Sequence, residues 1–200
     1  MNLLNILSLI LFIIFLLSYC LKLVILYKRH KISANVLAKG KKDNKIKIVE
    51  TTVKLSTFIW GITWIVEIFF SQSIDKNLHI LFNSLIINYM GLLITAIGVC
   101  IFITAMVSMK TSWRVGIDKN TKTKLVTCGI YNYSRNPAFV GFDLMFMGLF
   151  LTYPNILTIF ILIANIISIH RLILQEEKYL ENSFGMEYIS YKEKTPRYIV

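Results

Sequence analysis

The residue types that could form a functional site are concentrated in two stretches late in the chain. The first, residues 109–137, places arginine, glycine and aromatic residues close together and ends in Arg135-Asn136-Pro137. The second, residues 171–200, carries Glu176-Glu177 and Arg197. Carboxylates accept hydrogen bonds, and an arginine binds a carboxylate through two parallel hydrogen bonds. Neither stretch reads as a membrane span or as a simple connector.

Taken alone, each motif also has a plainer interpretation. Glu176-Glu177 is compatible with the solvated face of an amphipathic helix, since surface charge is the usual case. Arg135-Asn136-Pro137 is compatible with a span boundary, with the arginine among headgroups and the proline in a first helical turn. Both interpretations remain open at this level.

Side chains that bind metals are scattered along the chain. The three cysteines have no paired spacing and the three histidines are far apart, at Cys20, Cys100, Cys128, His30, His79 and His170. This distribution predicts core cysteines or free thiols rather than a disulfide framework or a zinc site. We therefore expect no metal.

The elements that must position the two stretches are long apolar runs. Hydrophobic residues make up 56% of the chain and charged residues 16%, against about 25% charged in soluble domains. Crossing a bilayer as a helix takes roughly 20 apolar residues. The runs are Leu3 to Tyr27, Leu55 to Phe70, Ile80 to Val107 and Ala138 to Ile169. The first lacks the basic flank and cleavage pattern of a secretory signal, so we interpret it as a span.

The fourth run is too long for one straight span. Pro154 near its middle disfavours a continuous helix and predicts a hairpin of helices 138–152 and 156–169. The sequence therefore predicts an all-α, polytopic membrane protein of about five helices. We divide it into 1–108, with three spans, and 109–200, with the hairpin, the functional stretches and the tail.

The net charge of +11 would suggest nucleic acid as a partner of a soluble protein. Here the basic residues are concentrated in the connecting segments 28–54 and 108–137, which argues instead for membrane lipids. With five spans, both segments and the C-terminus lie on one side, which the positive-inside rule makes cytosolic. We expect segment 28–54 to be a solvated connector against anionic headgroups.

The tail is predicted to form a helical cap continuous with the last span. Apolar residues recur at helical spacing from about Ile169 to Asn182, and Phe184-Gly185 ends the helix because glycine accepts a left-handed conformation. A second short helix is expected through Tyr188 and Tyr191.

Two motifs carry a family resemblance. Residues 125–141, Leu-Val-Thr-Cys-Gly-Ile-Tyr-Asn-Tyr-Ser-Arg-Asn-Pro-Ala-Phe-Val-Gly, resemble the Leu-Val-Thr-x-Gly-x-Tyr-x-x-x-Arg-His-Pro-x-Tyr-x-Gly motif of the isoprenylcysteine carboxyl methyltransferase family. Glu176-Glu177, followed by Phe184-Gly185, Tyr188 and Tyr191, is similar to the ending of that family. The resemblance covers about residues 109–200.

The resemblance implies a membrane methyltransferase that uses S-adenosylmethionine in a cytosolic pocket closed by the C-terminal segment. It assigns cofactor contacts to Thr123, Lys124, Leu125, Val126, Tyr131, Asn136, Pro137, Ala138, Phe139 and Glu176. The chain departs from the family at Asn136, where histidine is usual, and at Phe139, where tyrosine is. Asparagine exchanges hydrogen bonds but cannot become charged.

Further residues are candidates for substrate contact or catalysis. Arg171, one position before Leu172, where the family has an arginine, and Asn136 are the catalytic candidates, and Arg197 is a second arginine for an acceptor carboxylate. Acidic residues inside spans, Glu67 and Asp143, cost roughly 2.5–3.5 kcal/mol each at the bilayer centre and normally face the bundle interior. Asp143 shares a helix face with Phe139, so we expect it to face the cavity.

The acceptor is expected to be lipophilic, either a prenylated cysteine carboxylate or a smaller amphipathic acid, amine or thiol, and phospholipid amine methylation is a close variant. The main alternative is a membrane sterol-type reductase that uses NADPH. A non-catalytic membrane scaffold is the third possibility.

Overall fold

The protein is all-α, as predicted. The computed structural model describes residues 1–118 and 123–198, and the side chains of all these except 75–77. Within this part of the chain there is no β-strand, only two isolated bridges. The helices are α1 (Leu3–His30), α2 (Asn44–Asn77), α3 (Leu85–Ser108), α4 (Pro137–Thr152), α5 (Ile156–Phe184) and α6 (Met186–Lys194).

Four of these helices, α1, α2, α3 and α5, are long and apolar enough to cross a membrane, and α4 is a shorter apolar helix of 16 residues. Their outer faces are covered by exposed leucine, isoleucine and phenylalanine side chains. In α1 only 17% of the most apolar 18-residue window is buried. Apolar surface of this extent requires lipid as its solvent. The expectation of an integral membrane protein with about five spans is confirmed.

The predicted hairpin of α4 and α5 is present. Pro137 stands in the first turn of α4, where its missing N–H is not needed. α4 ends at Thr152, and Asn155 caps α5 by accepting hydrogen bonds from the N–H groups of Leu157 and Thr158, both at 3.1 Å. α5 then continues through the predicted cap helix to Phe184 without a break.

α3 and α4 approach so closely that only small residues fit between them. A Cβ added at Gly148 would lie 2.7 Å from the backbone oxygen of Gly91 and 2.7 Å from the backbone nitrogen of Thr95. Gly98 and Gly141 form a second such contact, two helical turns away along both helices. This packing fixes the position of α4, and with it that of Asn136 at its start.

We expect Gly148→Ala to destabilise the protein by about 1–3 kcal/mol, because the added methyl group meets backbone atoms that cannot move separately. The measurement is the thermal unfolding midpoint of detergent-purified protein. Gly61→Ala is the matched control, since a Cβ there meets nothing within 4 Å. Equal midpoints for the two variants would contradict the tight packing.

Buried polar residues hold the end of the bundle at which the chain begins. The Asn155 side chain donates to Glu67 Oε1 at 2.8 Å, and the Tyr153 hydroxyl donates to Asn5 Oδ1 at 3.1 Å. Glu67 is fully buried, and the sequence alone offers no partner for it. The structure shows that its partner is Asn155, which lies in the turn between α4 and α5.

The opposite end of the bundle consists of residues 31–43, 109–118, 123–136 and 185–198, and we call it the basic end. The prediction that segment 28–54 is a solvated connector is wrong for the connection between α1 and α2. α1 continues to His30 and α2 begins at Asn44, and the connection between them buries Ala34 and Leu37. Its backbone pairs with segment 109–118, where Val36 N–H donates to Val115 O at 3.0 Å.

Two other sequence expectations can be checked at this level. The cysteines are free, as one of the two interpretations held, but all three are exposed, so they are not core residues. Lys119 and Lys122 of the second basic segment lie outside the described residues.

Candidate ligand-binding site

A cavity of about 790 Å³ opens at the basic end, within the range of roughly 300–1,000 Å³ typical of small-molecule sites. Its walls come from α1, α2, the segments 109–116 and 123–126, and the parts of α4, α5 and α6 at the basic end. Polar side chains line one part, among them Glu176, Asn136 and Lys124. The rest is apolar and aromatic, with Phe15, Trp60 and others from α1 and α2.

The structure brings together nine of the ten positions expected to contact a cofactor. The nine line this cavity: Thr123, Lys124, Leu125, Val126, Tyr131, Asn136, Ala138, Phe139 and Glu176. Pro137 is the exception, because its ring is buried in the first turn of α4. These positions come from four stretches of the chain, 123–126, 131, 136–139 and 176, so their convergence is a property of the fold.

The two adjacent glutamates have different environments. Glu177 is buried and accepts hydrogen bonds from Arg135 (Nε at 3.2 Å, Nη2 at 3.0 Å), Asn136 (Nδ2 at 3.1 Å) and Arg197 (Nε at 3.1 Å, Nη2 at 2.9 Å). Burial acts to raise the pKa of Glu177, but the hydrogen bonds from Arg197 and the charge of Arg135 hold it below its ordinary value. Glu177 is therefore the ionised centre of a structural network.

Glu176 lies one position earlier, about 100° around the helix, and lines the cavity. Among the described residues, no donor forms a hydrogen bond to its carboxylate. It lies in the polar stretch 175–178 of α5, beyond residues 156–169, which the sequence predicts to cross the membrane. Burial and the negative charge of Glu50 raise the pKa of Glu176 to about 8, while Lys42 acts in the opposite direction. The carboxylate is thus available to a ligand that brings its own donors.

The C-terminal segment fastens the start of α4 to α5. Arg135 N–H donates to Pro196 O at 2.9 Å, and the Ser134 hydroxyl donates to Arg197 O at 3.1 Å. The Asn136 amide donates to Arg197 O at 3.3 Å as well as to Glu177. Asn136 therefore acts as a donor to two acceptors, a task that requires no titrating group.

α6 closes one wall through two tyrosines. The Tyr191 hydroxyl donates to the backbone oxygen of Tyr131 at 2.6 Å, and burial raises the pKa of both phenols. Tyr188, buried beside them, also lines the cavity. The tyrosines of the tail motif thus hold α6 against residues 129–132.

Besides Pro137, three predicted site residues, Asp143, Arg171 and Arg197, do not line the cavity. Arg171 is exposed, because the neighbouring Leu172 faces the cavity and a helix turns about 100° per residue. Arg197 is engaged by Glu177. Asp143 follows the cavity-lining Phe142 and is half-buried, and its Oδ1 has no hydrogen-bond partner among the described residues.

Sequence reasoning missed the contribution of the N-terminal half. Tyr19 and Asn35, joined by a hydrogen bond of 3.3 Å, line the cavity together with aromatic residues of α1 and α2. The available signal was the set of aromatic side chains inside the first two spans. The family motifs do not extend to them.

The fold and cavity define a class of protein, the helical membrane proteins that hold a ligand site with polar and apolar parts at one end of the bundle. Comparison with known families specifies the class further. Residues 86–187 match the model of the phospholipid methyltransferase family, and the chain belongs to that family. This confirms the resemblance read from the two motifs.

One relative is similar over a shorter stretch. The chain is 41% identical over 78 residues to the protein-S-isoprenylcysteine O-methyltransferase of Saccharomyces cerevisiae. The aligned part is 38% of this chain and 32% of the yeast protein, so the chain spans about a third of the length of that relative.

Proposed function

We propose that this protein is a membrane methyltransferase that uses S-adenosylmethionine and modifies a lipophilic acceptor. A prenylated cysteine carboxylate is the first candidate acceptor, and the methyl donor enters from the cytosol through the basic end. The observation that carries the proposal is the carboxylate of Glu176, to which no described residue donates a hydrogen bond, in a cavity lined by nine of the ten expected cofactor positions.

The polar part of the cavity fits the methyl donor. Ribose hydroxyl and amino groups are donors that an unpaired carboxylate accepts, and a carboxylate also favours a nearby sulfonium charge. Glu176 would hold these groups, with Thr123 to Val126 and Tyr131 alongside. Lys124 lies at the exposed rim, where it suits a carboxylate of the ligand.

The apolar part of the cavity fits the chain of a lipid. Leu16, Phe58 and Ile62 line the cavity and are also exposed at the membrane-facing surface, Phe58 by 66%. The cavity thus borders the lipid between α1 and α2. An acceptor would enter sideways with its apolar chain still in the membrane.

S-Adenosylmethionine supplies an electrophilic methyl group on a sulfonium. A carboxylate acceptor is already ionised, so the residues of the protein have no proton to remove. Their task is to align the two reactants and exclude water. Glu176 and residues 123–126 would orient the donor, and the aromatic wall of α1 and α2 would keep water from the acceptor.

We expect affinity for S-adenosylhomocysteine to rise with pH up to about 8 and then level off. Hydroxyl donors favour the ionised form of Glu176, whose pKa is raised to about 8. One proton is displaced on binding, so affinity should change by up to about tenfold per pH unit below that value. Titration calorimetry from pH 6 to 9 measures this. A flat profile contradicts a ligand role for ionised Glu176.

The direct test is transfer of labelled methyl from S-adenosylmethionine to a panel of acceptors in liposomes. The panel should contain a farnesylated cysteine, its non-prenylated form, an amphipathic thiol and phosphatidylethanolamine. Labelling of the farnesylated compound alone supports the first candidate. Labelling of phosphatidylethanolamine instead would favour a phospholipid amine as the acceptor, in keeping with the name of the phospholipid methyltransferase family. No transfer to any acceptor would refute the proposal.

A ligand that binds only the folded state raises its unfolding midpoint. S-Adenosylhomocysteine is therefore expected to raise the midpoint of detergent-purified protein, whereas NADPH is not. The reverse result would favour a reductase, and no shift with either would favour a scaffold.

A further inference from the structure

Glu50 is a fully buried carboxylate at the basic end. Its Oε2 accepts a hydrogen bond from Ala38 N–H at 2.7 Å, and its Oε1 accepts one from Ile117 N–H at 2.8 Å. Lys42 Nζ lies 2.7 Å from Oε2 and also donates to Val36 O at 2.8 Å. One side chain of α2 therefore joins the connection 31–43 to the segment 109–118.

The geometry around this carboxylate leaves little space. Gly116 has φ +89°, and a Cβ there would lie 2.9 Å from Glu50 Oε1 and 2.9 Å from the Cα of Leu37. Leu37, Val115 and Gly116 line the ligand cavity. Ala38 and Ile117, which donate to Glu50, are the chain neighbours of Leu37 and Gly116, so Glu50 holds the backbone behind this part of the wall without lining the cavity itself.

We infer that Glu50, paired with Lys42, is a positioning residue that fixes this wall of the cavity, which Glu176 also lines. A buried ion pair is weak evidence for added stability, because desolvation offsets the attraction, and a specific arrangement of segments is the better-attested reason to keep one. The part of the test that measures ligand affinity rests on the proposed function.

The charge of Glu50 acts on Glu176 together with other groups around the cavity. Glu50 raises the pKa of Glu176 and Lys42 lowers it. The other charged and titratable side chains that line the cavity are Tyr19, Lys54, Arg114, Lys124, Tyr131, Arg135, Tyr188 and Tyr191. Removing the charge of Glu50 therefore acts to lower the pKa of Glu176.

The test uses full-length Glu50→Gln and Lys42→Met, with Glu193→Gln and Lys45→Met as controls, since both control residues are exposed and lie outside the cavity wall. The first measurement is amide hydrogen exchange without ligand. Exchange should rise at least severalfold in 34–38 and 113–118 of Glu50→Gln and Lys42→Met, and remain unchanged in α3. Unchanged exchange in both segments overturns the positioning role, whether or not the protein binds S-adenosylhomocysteine.

The second measurement is the pH profile of S-adenosylhomocysteine affinity. For Glu50→Gln its midpoint should move to lower pH by roughly half a unit or more, whereas the controls keep the wild-type midpoint. A purely structural role would weaken binding at every pH without moving the midpoint, and that result overturns the charge effect. If wild-type protein binds no S-adenosylhomocysteine, the proposed function fails, and hydrogen exchange still decides the positioning role.

Discussion

Replacing Glu177 with alanine is expected to lower the free energy of unfolding by about 3–5 kcal/mol, the range for removing one partner of a buried ion pair. The change leaves the buried guanidinium of Arg135, whose side chain is 7% exposed, without its carboxylate. Asn136 and Arg197 lose the same acceptor. The start of α4 and the C-terminal segment should therefore loosen together.

Glu181→Ala is the control, because the ion pair of Glu181 with Lys192 is about 40% exposed on both sides and exposed pairs contribute about 0–1 kcal/mol. The measurement is thermal and urea unfolding of detergent-purified protein. Since the pKa of Glu177 is lowered on folding, its contribution is present above its ordinary value of 4.5 and is lost as pH falls below that. A Glu177→Ala variant as stable as Glu181→Ala would refute the network.

Replacing Glu176 with glutamine is expected to weaken ligand binding without lowering stability. Affinity for S-adenosylhomocysteine at pH 8.5 should fall by about 10- to 100-fold, because hydrogen bonds to a charged acceptor contribute about 1.5–3 kcal/mol. The pH dependence of binding should disappear with the titrating group. Stability should be unchanged or higher, since a half-buried carboxylate to which no described residue donates a hydrogen bond is replaced by a neutral group.

The two neighbouring variants test each other. Calorimetric affinity and the unfolding midpoint are measured on Glu176→Gln and Glu177→Ala, with Glu181→Gln as the affinity control. Loss of stability in Glu176→Gln, or wild-type affinity at pH 8.5, would show that the free carboxylate has no ligand role.

Local sequence patterns predicted the helices well because lipid imposes strong constraints on chain length and polarity. The break at Pro154 and the end of α5 at Gly185 follow from backbone chemistry that needs no tertiary partner. The positions expected to contact a cofactor came from motif resemblance, and nine of the ten line one cavity.

The sequence did not predict what depends on distant partners. Glu50 reaches Ile117, 67 residues away, so a lysine-rich segment that is typical of a solvated connector becomes part of a cavity wall. In the same way, Glu176 and Glu177 are the same residue type, so the sequence does not tell which of them binds Arg135 and Arg197. Arg171 was expected near the ligand, but one step around α5 turns it to the exterior.

α4 is shorter than the four apolar helices that are long enough to cross a membrane. Its 16 residues extend about 24 Å, whereas the hydrocarbon layer is about 30 Å thick. Where α4 meets lipid, at Met147 for example, the bilayer must thin to match it. The thickness of the membrane therefore affects the energy of placing α4, which begins just after Asn136. Bilayers with shorter acyl chains accommodate this helix with less deformation.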